Sequence, residues 1–250
     1  MQNKPLFLAL LMLILLIHVL PAESVTPDIT APGAGDAPAL GSGIPRVDQR
    51  FCLTYLLVPD DEEVSAEILR LESLLEAPDS PAPGDQRQIE YAAGVLHIYR
   101  YIRTEQKDDA MRAKELLESA APEFSGKDLF TVHIGMAHAF VASIKTIFGV
   151  GDLKKMQSEL QSIERDHRNW LIRFLRGITL YEVGNALPGV FTIRAIKNEA
   201  IEVGEEDLRY VLDRPRLSES DQFDPESYDY RNMPVPSEVV QKAVAVLAGK

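Results

Sequence analysis

Apolar residues at three- and four-residue spacing recur from about residue 60 onward, and this spacing predicts helices along most of the chain. After Pro59, the stretch DDEEVSAEILRLESLLEA places Val64, Ile68, Leu71, Leu74 and Leu75 on one face, with Asp60 and Glu63 as a capping pair. A first helix is therefore expected to end near residue 77, where APDSPAPGD supplies a cluster of breakers. A second is expected over 85–104. A third starts at Asp108 and carries a stripe of Ala110, Ala113, Leu116, Leu117 and Ala120 closed by Pro122. The fourth, 128–148, is apolar nearly all round, as befits an element buried between neighbours. Gly149 and Gly151 should stop it, with Asp152 capping a fifth helix whose face is Leu153, Met156, Leu160 and Ile163. A sixth is expected over 169–183, ending at Gly184, followed by two helical pieces within 190–213 broken at Gly204. Residues 216–236 are polar, acidic and proline-containing, and read as an extended surface segment before a last helix over 237–247. No run of alternating β-branched residues suggests strands, so the expected class is all-α.

Three of these helices contain a glycine in similar surroundings: AAGVLHIY, HIGMAHAF and RGITLYEV. Gly94, Gly135 and Gly177 lie 41 and then 42 residues apart. Glycine costs a helix interior about 1 kcal/mol, so three at regular intervals call for a reason. A missing side chain at a helix contact lets the neighbouring helix approach the backbone. Aligned on these glycines, the chain becomes a series of helical pairs, each a glycine-bearing helix followed by an amphipathic one.

RGITLYEVGN (176–185) and DDAMRAKELLESAAPEF (108–124) resemble the helices of tetratricopeptide repeats (TPR). Gly177 and Gly184 match that family's glycine positions, and Ala110, Leu117, Ala120 and Pro122 match its second-helix pattern. The match is degenerate: His97, His138 and Leu180 stand at the aromatic position, and the period exceeds the usual length of about 34 residues. What the resemblance implies is a TPR-like helical-hairpin repeat, an α-α superhelix, over 51–250, with a concave surface for a protein or peptide. The chain is also similar in outline to the exported TPR partner proteins of bacterial solute transporters, although it lacks their usual lipid-attachment box.

The N-terminus changes the picture of where such a protein works. Residues 1–22 combine Lys4, an apolar run over 6–20 and small residues after it, the form of a secretory signal peptide. Left uncleaved, the same run is just long enough for a membrane anchor, the one membrane contact the chain suggests. Residues 23–48 are rich in Pro, Gly, Ala and Ser and read as a flexible linker. A secreted or periplasmic location is therefore expected, with a membrane-anchored form as the alternative. The chain has 38 acidic against 26 basic residues, a net charge of -12, which argues against nucleic acid as a partner. Its single cysteine, Cys52, cannot form an internal disulfide and is expected to be a buried small hydrophobe.

Reactive chemistry is hard to find. His133 and His138 lack zinc-ligand spacing, GVGD (149–152) lacks a phosphate-binding lysine, and Ser143 and Ser158 lack a nucleophile-elbow context. No catalytic, cofactor-binding or metal-ligating residue is assigned, and no enzyme activity is expected. His97 and His138 occupy equivalent repeat positions, either as packing residues or close to each other. Candidate partner-binding residues are Tyr91, Val95, Ile98 and Tyr181 on the glycine-bearing helices, with Arg173 and Arg176 from the one basic concentration. The expected function is an exported, non-enzymatic interaction scaffold or adaptor. The alternative is a solute-binding or transporter-associated module, marked by a closed apolar pocket near His97 and His138.

Overall fold

The computed structural model describes residues 43–57, 61–77, 81–144, 150–187, 194–216 and 234–249. Among them the chain forms nine helices and no strand: α1 (Gln49–Leu57), α2 (Asp61–Leu75), α3 (Pro83–Thr104), α4 (Lys107–Phe124), α5 (Asp128–Ile144), α6 (Val150–Ser162), α7 (Trp170–Ala186), α8 (Arg194–Leu212) and α9 (Ser237–Leu247). The signal-peptide reading, the linker reading over 23–42, the cap at Asp60, the stop at Gly149 and most of the acidic segment before α9 lie outside the described residues. Residues 43–48, expected as linker, are held against the helices by the buried Ile44 and by bonds from Gln88 to Pro45 O and from Arg70 to Gly43 O.

The helices pack as three hairpins, α3 with α4, α5 with α6 and α7 with α8. The first helices of the hairpins also touch in sequence, α3 on α5 and α5 on α7, so the hairpins stack. The regular glycines sit at the hairpin contacts. A Cβ added to Gly94 would stand 2.9 Å from Leu117 Cγ on α4, and one on Gly135 only 2.6 Å from Leu160 Cδ2 on α6. On Gly177 it would meet Asp207 Cβ of α8 at 2.9 Å and the Gly204 carbonyl at 3.2 Å. Burying the facing leucine contributes about 2 kcal/mol, enough to offset the propensity cost of the glycine.

The same close approach explains three departures from the expected boundaries. Gly204 does not break α8, which runs through it, because Gly204 lies against the backbone of α7; its Cβ would fall 2.5 Å from Tyr181 N. Gly184 likewise lies inside α7, facing Ile201 of α8 at 2.7 Å, and α7 ends two residues later at Ala186. Gly151 and Asp152 belong to the first turn of α6 rather than to a stop and cap. Pro122 also lies within its helix, since α4 continues to Phe124 before Ser125 N donates to Ala121 O. At α7 the expected start holds: Asn169 is the cap, its side-chain oxygen accepting from Leu171 N at 3.0 Å.

One helix has no counterpart in the hydrophobic pattern. α1 packs on α3, with Phe51, Cys52, Leu53 and Leu56 buried, and with Ile44 it extends the ordered core upstream of residue 51. At the other end of the chain α9 packs on α8 and α7 through Val239, Val240, Ala243 and Val246. Lys242 Nζ of α9 donates to Leu56 O of α1 at 3.4 Å, so the first and last helices meet. With hairpin partners on one side and α1 and α9 on another, the first helices have no wet face: residues 89–99, 130–141 and 169–177 are buried without interruption.

Candidate functional site

Two stations of polar residues repeat at the hairpin interfaces. In the first, the buried His97 of α3 places Nδ1 2.7 Å from Asp109 Oδ1 of α4 and Nε2 3.3 Å from Glu72 Oε1 of α2. Arg100 Nη2 donates to Asp109 Oδ1 at 2.6 Å, and Arg112 Nε to Glu72 Oε1 at 3.1 Å. In the second, the buried His138 of α5 lies 3.4 Å from Asp152 Oδ1 of α6 and 3.9 Å from Glu118 Oε1 of α4. Lys114 Nζ donates to Asp152 Oδ1 at 2.6 Å and Lys155 Nζ to Glu118 Oε1 at 2.7 Å. Each histidine stands three residues after its helix glycine, and each aspartate eight residues before the leucine that glycine faces. Each histidine therefore answers the aspartate of its own hairpin and a glutamate of the helix just before its own, and the two do not pair with each other. In the third hairpin the same positions hold Leu180 and Ala200, both buried, so the station is apolar there.

Electrostatics hold these stations in register. Burial pushes the Asp109 carboxyl upward, but the bonds from His97 and Arg100 together bring it below the ordinary aspartate range. Burial lowers His138, with Glu118 and Asp152 opposing that effect and Lys155 and Lys114 reinforcing it. Buried ion pairs of this kind add little net stability, because desolvation offsets attraction, but a misregistered hairpin would leave charges unpaired. Elsewhere on α7, burial alone pushes the Glu182 carboxyl up to about 7.

A third polar node joins α7 to α8. Arg173 Nε donates to Asp207 Oδ1 and Arg176 Nε to Asp207 Oδ2, each at 2.6 Å. Arg176 also donates to the carbonyls of Ile163, Glu164 and Arg165 at 3.0 Å each, closing the turn after α6. Both guanidiniums are buried, at 5% and 1% exposure, so they brace the hairpin and present no cationic surface to a partner. The other sequence candidates are also largely enclosed: Val95 and Ile98 are buried in α3, Tyr91 is 3% exposed and its ring reaches only a small cavity beside Phe124 and Phe130, and Tyr181 is half-buried against Gly204.

What is accessible lies on the outside. A shallow cleft of about 700 Å³ runs over α4 and the end of α3, lined by charges of both signs that include Arg100, Asp108, Arg112, Lys114, Glu115 and Glu118. His97 stands at its base, and Met111, 42% exposed, interrupts the charges with an apolar side chain. None of these residues was marked from the sequence except His97. The repeated spacing of Asp109 and Asp152 ahead of Leu117 and Leu160 is the signal in the sequence that could have found the two stations.

Among the described residues no group of three or more His, Cys, Asp or Glu is placed to hold a metal ion. No helix among them is long and apolar enough to cross a membrane. Comparison with known proteins finds no family model, no curated protein and no solved structure that matches the chain.

Proposed function

We propose that the chain is a TPR-like helical-hairpin scaffold without catalytic activity, exported by its 1–22 leader, that binds a protein or peptide partner at the α4 cleft. The observation that carries this reading is the repetition of one hairpin geometry, glycine against leucine with a histidine-aspartate station beside it, in successive stacked units. Stacked hairpins of this kind serve as extended docking surfaces. Since the first helices of the hairpins are buried over 89–99, 130–141 and 169–177, docking is assigned to the exposed face of α4. Most of its charges are paired within the chain, yet Glu115, paired with Arg112 at 2.8 Å, is 70% exposed at its side chain and free to exchange partners. A polypeptide carrying both signs of charge and an apolar residue for Met111 suits that lining.

The test is recovery of native complexes from the cell envelope with the tagged full-length chain and with a Met111→Glu, Glu115→Lys double variant. One protein should co-elute with the wild type and be lost with the variant, while circular dichroism and melting temperature stay the same. Equal recovery with both, or a small solute released on denaturation in place of a protein, rejects the reading.

A further inference from the structure

At the opposite end of the α3–α4 hairpin from the cleft, the beginning of α3, the end of α4 and the start of α5 enclose a smaller cavity of about 180 Å³. Its floor is three packed rings: Tyr91 lies 4.9 Å from Phe124 and 5.0 Å from Phe130, centroid to centroid, and Phe124 lies 5.8 Å from Phe130. Its rim carries two exposed cations, Arg46 and Lys127, with Lys127 Nζ 4.5 Å above the Phe124 ring. The rim is held in place. Ile44 is buried, Gln88 Nε2 donates to Pro45 O at 3.1 Å, and Arg70 Nη1 donates to Gly43 O at 3.0 Å.

The charge pattern at this cavity differs from that along most of the hairpin. In a chain of net charge -12, most cations of the hairpin are claimed by carboxylates, as Arg87 is by Glu90, Arg100 by Asp109 and Arg112 by Glu72. Arg46 and Lys127 form no ion pair with any described residue. The closest acids in sequence are committed elsewhere, Asp128 Oδ2 to His167 Nε2 at 3.1 Å and Asp48 Oδ1 accepting from Phe51 N at 2.9 Å. Two uncompensated cations above an aromatic floor specify a ligand with a carboxylate and an apolar group on adjoining atoms.

We propose that this cavity captures the C-terminal residue of a polypeptide partner, its α-carboxylate between Arg46 and Lys127 and its apolar side chain on the Tyr91, Phe124 and Phe130 rings. The cavity holds the space of about six water molecules, which suits one side chain and not a helix. At a chain end the carboxylate and the last side chain leave the same Cα, so one small cavity takes both. An internal acid beside an apolar residue would send the two groups to opposite faces of an extended strand. The site is separate from the α4 cleft and stands or falls independently of it.

Labelled random hexapeptides with a free carboxylate after Leu, Ile, Val, Phe or Met, their C-terminal amides, and free 4-methylpentanoate and phenylacetate provide the test, with fluorescence polarisation and competition as readouts. At least one free-carboxylate pool should bind saturably. Amidation should weaken binding about tenfold or more, the loss of one charge-assisted contact. Arg46→Glu with Lys127→Glu, both exposed, should abolish binding while circular dichroism is unchanged and the melting temperature falls by no more than the loss of the Lys127 contact with the Phe124 ring allows. Equal binding of amides, unchanged binding by the charge-reversed variant, or no saturable binding by any pool overturns the proposal. Small acids that bind as tightly as the peptides overturn the assignment to a polypeptide.

Discussion

His133 gathers the only cysteine of the chain and two tyrosine hydroxyls around one fully buried imidazole. Tyr91 Oη stands 3.3 Å from its Nδ1, while Tyr99 Oη at 3.2 Å and Cys52 Sγ at 3.8 Å approach its Nε2. Burial pushes the Cys52 thiol up to about 12, which keeps it protonated and unreactive. Burial likewise drives His133 down to about 3, with the Leu129 carbonyl pulling weakly the other way, so the ring is neutral in the fold. This fixes the sign of a pH effect. The unfolded chain takes up a proton near the ordinary value of 6.5 and the folded chain does not, so stability is full above 6.5 and falls progressively as pH drops toward about 3. By pH 5 the loss from this one residue is about 2 kcal/mol. Urea unfolding at pH 7 and pH 5 checks it: His133→Gln cannot take the proton, and should lose about 2 kcal/mol less than wild type over that interval. An identical acid dependence in the two proteins would show that the cluster is not what senses acid.

Between helices, the consequence of a glycine depends on what faces it. An alanine at Gly135 meets Cδ2 and Cγ of the Leu160 side chain, which can shift by turning about its own bonds, whereas at Gly204 it meets the backbone of Tyr181, which cannot. Gly151, in the first turn of α6, faces nothing within 4 Å. The three substitutions should therefore rank in order. Gly204→Ala should cost most, about 2 to 3 kcal/mol of overpacking, and Gly135→Ala about 1 kcal/mol. Gly151→Ala should be neutral or stabilise by a few tenths to about 1 kcal/mol. Chemical denaturation of the three single variants measures the order directly.

The hairpin repeat is legible in the sequence because the glycines carry it. Gly94, Gly135 and Gly177 have no other local use, and their spacing survives the degeneracy of the flanking residues. Boundaries are less legible where tertiary contact overrides a local rule, as at Gly184 and Gly204, which read as breakers in sequence and serve as packing surfaces in α7 and α8. α1 escapes notice because nine residues, QRFCLTYLL, carry too short a pattern and acquire their helical reason only from burial on α3. For the same cause Tyr91, Val95 and Ile98 read equally well as groove or core residues in the sequence, and it is the neighbouring helices, invisible in their own spacing, that leave them buried.

Over the whole molecule, the meeting of α9 with α1 turns a stack of hairpins into a body whose first and last described helices support each other. In an open repeat array each unit contacts only its neighbours, and a lesion at one end leaves the other end stable. Here α9 rests on the third hairpin while Lys242 reaches the Leu56 carbonyl, and Arg103 of α3 donates to the adjacent Tyr55 carbonyl at 2.6 Å. Loosening α9 should therefore be felt 186 residues away. Val239→Asp with Ala243→Asp places two charges on the buried face of α9 and should detach it from α7 and α8. Amide hydrogen exchange then distinguishes the two architectures. A tied molecule should lose protection in α1 together with α8, while α4 and α5 in the middle keep most of theirs. Loss confined to α7, α8 and α9, with α1 protected as in wild type, would show that the two ends fold independently and that the Lys242 contact carries no load.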